Sequence, residues 1–284
     1  MSRPLWFVDI LKKNFKNRFQ IADLTRKSNF FRKLIDSLLF EGDDIIYLPK
    51  DSVVKSNGNG HHPIKIDIHE PIQPEENLVL PTQVVKHFIN QANYLWIMNS
   101  CICRDSNQCK HYPIELGCIF LGKAVEGINP QLGRRVTREE ALQHLQRCRE
   151  AGLVQMVGRN KIDTVWMGVQ PGDHLLTICN CCSCCCLYRV LPNLHTTISK
   201  KISRMPGVEV YVTDSCVVCG ACTQGVCFAN AIHLENGRAV ISDDCRGCGL
   251  CVEVCPEHAI KLEVNAQDSL QKTIERLNRI VDVT

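Results

Sequence analysis

Two cysteine runs near the C-terminal end of the 284-residue sequence start 29 positions apart and nearly repeat each other. The first reads Cys216-x2-Cys219-x2-Cys222-x4-Cys227, the second Cys245-x2-Cys248-x2-Cys251-x3-Cys255-Pro256. Gly220 aligns with Gly249, and Ala231-Ile232 with Ala259-Ile260 once one residue is inserted in the first copy. A thiol at every third position wraps the chain tightly around whatever the thiols hold. The small residues Gly220, Ala221, Gly247 and Gly249 let backbone amides approach the sulfurs. Such loops are organised around a bound group.

The chain carries 19 cysteines, so disulfides, zinc and iron–sulfur clusters compete as explanations. Disulfides need an oxidising compartment. Residues 1–18 carry five Lys/Arg (Arg3, Lys12, Lys13, Lys16 and Arg18) with no apolar signal core. No stretch approaches the roughly 18 apolar residues of a membrane span. The expectation is a soluble, cytoplasmic protein with reduced or metal-bound thiols. Zinc usually takes paired CxxC knuckles, whereas triplets spaced by two are the iron–sulfur pattern. A net charge of +3 gives no hint of nucleic-acid or membrane attraction, and no nucleic-acid partner is expected.

The second run matches the bacterial pattern C-x2-C-x2-C-x3-C-P, and the span 207–265 resembles a bacterial two-cluster ferredoxin. That resemblance implies two [4Fe–4S] clusters and single-electron transfer at low potential. In this family the last cysteine of each run ligates the other cluster. Carried over, cluster one takes Cys216, Cys219, Cys222 and Cys255, and cluster two takes Cys245, Cys248, Cys251 and Cys227. The expected module has two short β-hairpins and two short helices. Val208–Val212 and Lys261–Val264 read as its terminal strands, and residues 233–241 as a hairpin turning at Asn236-Gly237. The first run departs from the pattern: four residues precede Cys227, and Phe228 stands where the second run has proline.

Eleven cysteines lie upstream. Cys148 falls on the apolar face of a helix and reads as a buried free thiol. The other ten form two groups, Cys101-x-Cys103-x5-Cys109-x8-Cys118 and Cys179-x-Cys181-Cys182-x-Cys184-Cys185-Cys186. Within the second group, Cys179, Cys182 and Cys185 keep a C-x2-C-x2-C register. Free thiols crowded together oxidise or scavenge metal. One or two further iron–sulfur clusters are the leading expectation, with zinc and redox-active thiols as alternatives. Arg104 and Lys110, beside the first group, read either as charges that balance a thiolate-ligated cluster or as solvated surface charges. This block also resembles, loosely, cysteine-rich regions preceding ferredoxin domains in multidomain iron–sulfur proteins of anaerobes.

The fold class expected is α+β, a mixed α/β cysteine-rich N-terminal domain followed by the ferredoxin-like module. The units expected are 1–80, 81–200, 207–265 and a C-terminal helix, 266–284. Phe30, Phe31, Leu34, Ile35 and Leu38 trace an amphipathic helix, and Ile45–Leu48 a short strand. His61 and His62 read as exposed loop residues. A helix follows Pro81, and Thr137–Glu140 spells a capping box opening another. Leu153–Val157 and Thr164–Val169 read as a hairpin, which with that helix makes a wing-like unit near Arg134, Arg135 and Arg138. Leu270, Ile274, Leu277 and Val281 form the seam of the last helix.

The function expected is an electron carrier or relay subunit with redox protein partners; the alternatives are a reductase-type enzyme with a substrate-binding upstream cluster and a cluster-based redox-sensing regulator. No G-x-G-x-x-G or P-loop fingerprint favours the enzyme.

Overall fold

Strands drawn from both the N-terminal segment and the cysteine-rich region build one seven-stranded sheet. A computed structural model describes residues 2–56 and 80–284. His61 and His62 lie outside the described residues.

The chain begins with α1 (Leu5–Lys13), α2 (Arg18–Lys27) and α3 (Asn29–Ile35), then β1 (Asp44–Tyr47) and β2 (Lys55–Ser56). There follow α4 (Thr82–Gln91), β3 (Leu95–Met98), α5 (Ile102–Ser106), β4 (Ile119–Leu121), β5 (Gly133–Arg135) and α6 (Arg138–Glu150). Next come β6 (Val154–Arg159), α7 (Lys161–Met167), β7 (Leu176–Cys181), α8 (Thr196–Ser199) and β8 (Ile202–Arg204). The C-terminal part contains β9 (Val208–Val212), β10 (Ile232–Glu235), β11 (Arg238–Ile241), α9 (Leu250–Glu253), β12 (Ile260–Val264) and α10 (Ala266–Asn278). The protein is α+β.

The sheet order is β5-β3-β4-β7-β6-β1-β8, antiparallel throughout except for β1 beside β8. Alternate residues of a strand face opposite sides. Ile46, Ile97, Ile119, Val157 and Ile178 therefore share one face, which α4, α6 and α10 cover through Val84, Phe88, Ile89, Leu145 and Leu277. The other face carries Tyr47, Met98, Phe120, Met156, Cys179 and Cys181, and packs against α1, α2, α7 and the turn at Leu187–Asn193. Cys179 and Cys181 thus belong to the face opposite α4, α6 and α10.

The capping box forms. Thr137 Oγ1 accepts from the Glu140 amide at 3.2 Å, and Glu140 Oε2 accepts from the Thr137 amide at 2.8 Å. Such a cap is worth about 1 kcal/mol.

Two local expectations are corrected. Residues 164–169 were expected to be the second strand of a wing, but Lys161–Met167 is helical and β6 pairs instead with Leu176–Cys181. Asp43, from outside the segment, caps α7 by accepting from the Lys161 amide at 2.6 Å, and Gly168 ends it at φ +69°. The β-branched and aromatic residues there pack as a helix face, a tertiary override of strand propensity. The stripe from Phe30 to Leu38 is helical as expected, α3 being continued by a wider helical turn to Phe40, but most of it is turned outward. Only Ile35 of it is buried, while Phe30 is 70% and Leu38 56% exposed.

In the C-terminal part β9 and β12 pair antiparallel, with β2 added parallel to β12. β10 and β11 form a hairpin whose turn residues, Asn236 and Gly237, both take positive φ, as a tight primed turn requires. This part is docked firmly. Val208, Leu262 and Val264 enter the helix-covered core with Ile274, Leu277 and Val281 of the C-terminal seam. Arg276 pairs with Asp44 of the central sheet.

Candidate metal centres

Sheet register brings the upstream cysteines together. Ile97, Ile119 and Ile178 lie side by side across β3, β4 and β7. Cys118 directly precedes β4, and Cys179 follows Ile178, so their sulfurs come to 3.9 Å. Cys181, two residues on, projects from the same face and reaches the Met156 sulfur at 3.6 Å. The chain then turns back and sets Cys186 3.3 Å from Cys181. Cys101, at the start of α5, shares a hydrogen bond with Cys103, and Cys103 lies within electrostatic reach of Cys118 and Cys181. Cys101, Cys103, Cys118, Cys179, Cys181 and Cys186 thus form one group.

Apart from Cys148, the remaining upstream thiols form another. The sulfurs of Cys109, Cys182, Cys184 and Cys185 all lie within 4.8 Å of one another. Cys184 is 3.6 Å from each of the other three. The register Cys179, Cys182, Cys185 is therefore split between the two groups. β7 ends at Cys181, so the turn beyond it carries Cys182 and Cys185 away from the face that holds Cys179.

Protonation follows from the pairing. Hydrogen bonds from Cys179 and Cys186 hold Cys181 well below the ordinary thiol range, and their own values rise. Cys101 is lowered in the same way by Cys103. Cys148, by contrast, is fully buried and pushed up to about 12 by that burial, an uncharged core thiol.

Between the two groups lies Arg104, with no exposed surface. Its guanidinium donates to the carbonyls of Pro113 and Asn180, both at 2.8 Å, and to that of Leu116. Burial alone would lower its pKa, but the thiolates of Cys101, Cys182, Cys118 and Cys181 outweigh that and raise it. Arg18 at the start of α2 is a second cation within reach of Cys103, Cys186 and Cys185; there burial prevails and lowers its pKa. The thiolates have no nearby signal in sequence for Arg18, which arrives through tertiary packing alone.

In the C-terminal part a cavity is lined by Cys216, Cys219, Cys222 and Cys255. Cys227 borders two apolar clusters, one with Cys245 and Cys248 and one with Cys222 and Cys255, and it bears electrostatically on Cys245, Cys248 and Cys251. Backbone amides aim at the sulfurs: Ala231 N–H to Cys227 at 3.3 Å, Ala259 N–H to Cys255 at 3.3 Å, and Gly247 N–H to Cys245 at 3.4 Å. The first two are equivalent positions of the repeat, four residues beyond the last cysteine of each run. Burial pushes Cys248 up to about 12, whereas the Ala239 and Val218 amides lower Cys216. Cavity, thiols and sulfur-directed amides fit a thiolate-bound cluster.

Tyr47 links the two regions. It is fully buried and its hydroxyl has no hydrogen-bond partner. Burial first, then the thiols of Cys186, Cys181 and Cys248, push its pKa well above the phenol range. It therefore stands between the upstream group of six and Cys248 of the C-terminal part. A lone tyrosine in a strand carries no sequence signal for that position.

Geometry and comparison together define a ferredoxin-like iron–sulfur segment. Residues 239–261 match the model of the 4Fe-4S binding domain. Over 64 residues the chain is 38% identical to the polyferredoxin protein MvhB of Methanothermobacter thermautotrophicus, covering 22% of this chain and 15% of that protein. Over 50 residues it is 36% identical to the pyruvate synthase subunit PorD of Methanothermobacter marburgensis, covering 18% of this chain and 58% of that one. The polyferredoxin of Methanothermus fervidus is 42% identical over 50 residues, 12% of its length. The chain thus spans a small part of the polyferredoxins it matches. No solved structure matches it. No helix among the described residues is long and apolar enough to cross a membrane.

Proposed function

We propose that the protein is an iron–sulfur electron relay, a cytoplasmic subunit that passes single electrons between redox protein partners. When bound, [4Fe–4S] clusters supply one-electron chemistry at low potential. Cluster one is assigned to Cys216, Cys219, Cys222 and Cys255, and cluster two to Cys245, Cys248, Cys251 and Cys227. The observation that carries this is the exchange of last cysteines: Cys255 lines the cavity of the first run and bears electrostatically on Cys222, while Cys227 bears on Cys245, Cys248 and Cys251. Likeness to a polyferredoxin and to a pyruvate synthase subunit supports the relay role and a place in a complex.

The residues suggest an order. Cys219 is exposed, and Val217 (60% exposed), Val218 and Leu234 around it offer an apolar rim for a partner. Cys245, Cys248 and Cys251 lie deeper, and Tyr47 separates Cys248 from the upstream group of six. A further iron–sulfur centre held within Cys101, Cys103, Cys118, Cys179, Cys181 and Cys186 completes the path, its charge offset by Arg104 and Arg18.

Electron paramagnetic resonance of protein purified without oxygen and reduced with dithionite tests this. Cys255→Ala and Cys216→Ala are expected to remove the same signal, and Cys227→Ala and Cys245→Ala the other. Iron content is expected at about twelve per chain, from two cubanes and one upstream centre. If Cys255→Ala removes the signal lost in Cys245→Ala, the crossed assignment fails. If no reducible cluster forms, the relay fails.

A further inference from the structure

The quartet Cys109, Cys182, Cys184 and Cys185 has dimensions unlike those a cluster requires. Tetrahedral zinc holds thiolate sulfurs at about 2.3 Å, which sets the sulfur–sulfur edge of the tetrahedron at about 3.8 Å. A cubane interposes an iron corner for each thiolate and spreads the ligand sulfurs to roughly 6 Å. In the quartet, three of the edges are 3.6 Å and every pair lies within 4.8 Å. Among the described residues no other group of three or more thiols is so close. In the ferredoxin-like part Cys216, Cys219, Cys222 and Cys255 line a cavity without so compact a grouping, and the upstream group of six has close pairs without a compact quartet.

The surroundings of the quartet also set it apart from the electron path. Cys182 and Cys185 pack against Leu116, Cys148 and Leu153, while Cys181 and Cys186 pack with the cluster that contains Tyr47, Cys245 and Cys248. Cys184 is exposed at the surface. The amides of His111 and Tyr112 point at Cys109, an arrangement that favours its thiolate form. The four ligands come from two loops, one after α5 and one after β7, so a bound ion would clip together two stretches far apart in the chain.

We infer that Cys109, Cys182, Cys184 and Cys185 form a mononuclear site for one tetrahedral divalent ion of the zinc class, structural and separate from the electron relay. The inference goes beyond the relay reading and does not depend on it. Binding zinc releases the protons of those thiols that are neutral and involves no change of oxidation state.

Elemental analysis of the full chain, produced anaerobically with both iron and zinc supplied, is the test. About one zinc per chain is expected, with zinc-edge absorption fitted by four sulfurs at about 2.3 Å. Cys184→Ser and, separately, Cys109→Ser are expected to lower zinc at least threefold and leave iron and the reduced-cluster spectrum unchanged. That spectrum reports that the variant has folded, and the wild-type zinc content stands as a test even where a variant does not fold. Absence of zinc from the wild type, loss of iron in place of zinc, or full zinc retention in both variants overturns the inference. A missing cluster spectrum alongside one zinc per chain would sink the relay and leave the zinc site standing.

Discussion

The ring of Tyr47 lies 5.3 Å, centroid to centroid, from the ring of Phe228. Tyr47 belongs to an internal strand of the large sheet, and Phe228 directly follows Cys227, where the second run has Pro256. The departure from the repeat is thus one of the contacts by which the ferredoxin-like part is held to the sheet. Phe228 is buried among Tyr47, Ala229, Ala231 and Leu250. Phe228→Ala should cost about 3–5 kcal/mol. The expected readout is a lower urea midpoint, together with faster loss of the cluster assigned to Cys227 on exposure to air.

Gly220 and Gly249 are equivalent in the repeat and both take positive φ, +77° and +87°. A side chain at either position costs roughly 1–2 kcal/mol for that backbone. They differ in surroundings. A Cβ on Gly249 would stand 2.4 Å from Val53 Cγ2, while one on Gly220 meets nothing nearer than 3.8 Å. Gly249→Ala should therefore be the more damaging by about 1–3 kcal/mol. Equal losses of stability in paired thermal melts would show that Val53 gives way freely.

Arg104 is a buried cation with three carbonyl acceptors and thiolates around it. Arg104→Met leaves the carbonyls unpaired and the thiolate charge uncompensated, a loss of about 3–5 kcal/mol. Under the proposed relay, iron content should fall while the reduced-cluster signal of the ferredoxin-like part persists. Full upstream metal content in this variant would remove Arg104 from its charge-balancing role.

Asp43 gives the fold a pH dependence. Burial raises its carboxyl from 3.8 to about 7, against the lowering effect of the Lys161 amide. Between those values the folded chain binds a proton that the unfolded chain has released. Stability therefore falls as pH rises from about 4 to about 7, and levels off above. Asp163 has the same sign, raised to about 6 by burial. In Asp43→Asn the Asp43 contribution disappears, so the decline in urea midpoint between pH 5 and pH 7.5 should be shallower than in the wild type. An unchanged slope would mean that Asp43 titrates near its ordinary value.

Local pattern made much of this chain readable. The spacing of eight cysteines with Gly220 and Gly249 named the kind of centre, because a loop around a cluster is written in adjacent residues. The capping box at Thr137, the Asn236-Gly237 turn and the seam Leu270, Ile274, Leu277 and Val281 were legible for the same reason: each is satisfied within a few turns of chain. The helix at Lys161–Met167 was not, since its cap comes from Asp43, more than a hundred residues away.

By itself the sequence determined the ferredoxin-like segment and marked ten upstream thiols as too many for a hydrophobic core. Tertiary structure decided how those ten divide. Sulfurs from Cys118 and Cys179 meet because β4 and β7 pair in one register, and Cys109 meets Cys182, Cys184 and Cys185 where the loop after α5 comes against the turn after β7. The placement of Tyr47 and Arg104 rests on the same pairing. Strand register is fixed by which faces bury their side chains, a property of the whole sheet. Spacing along the chain cannot express it.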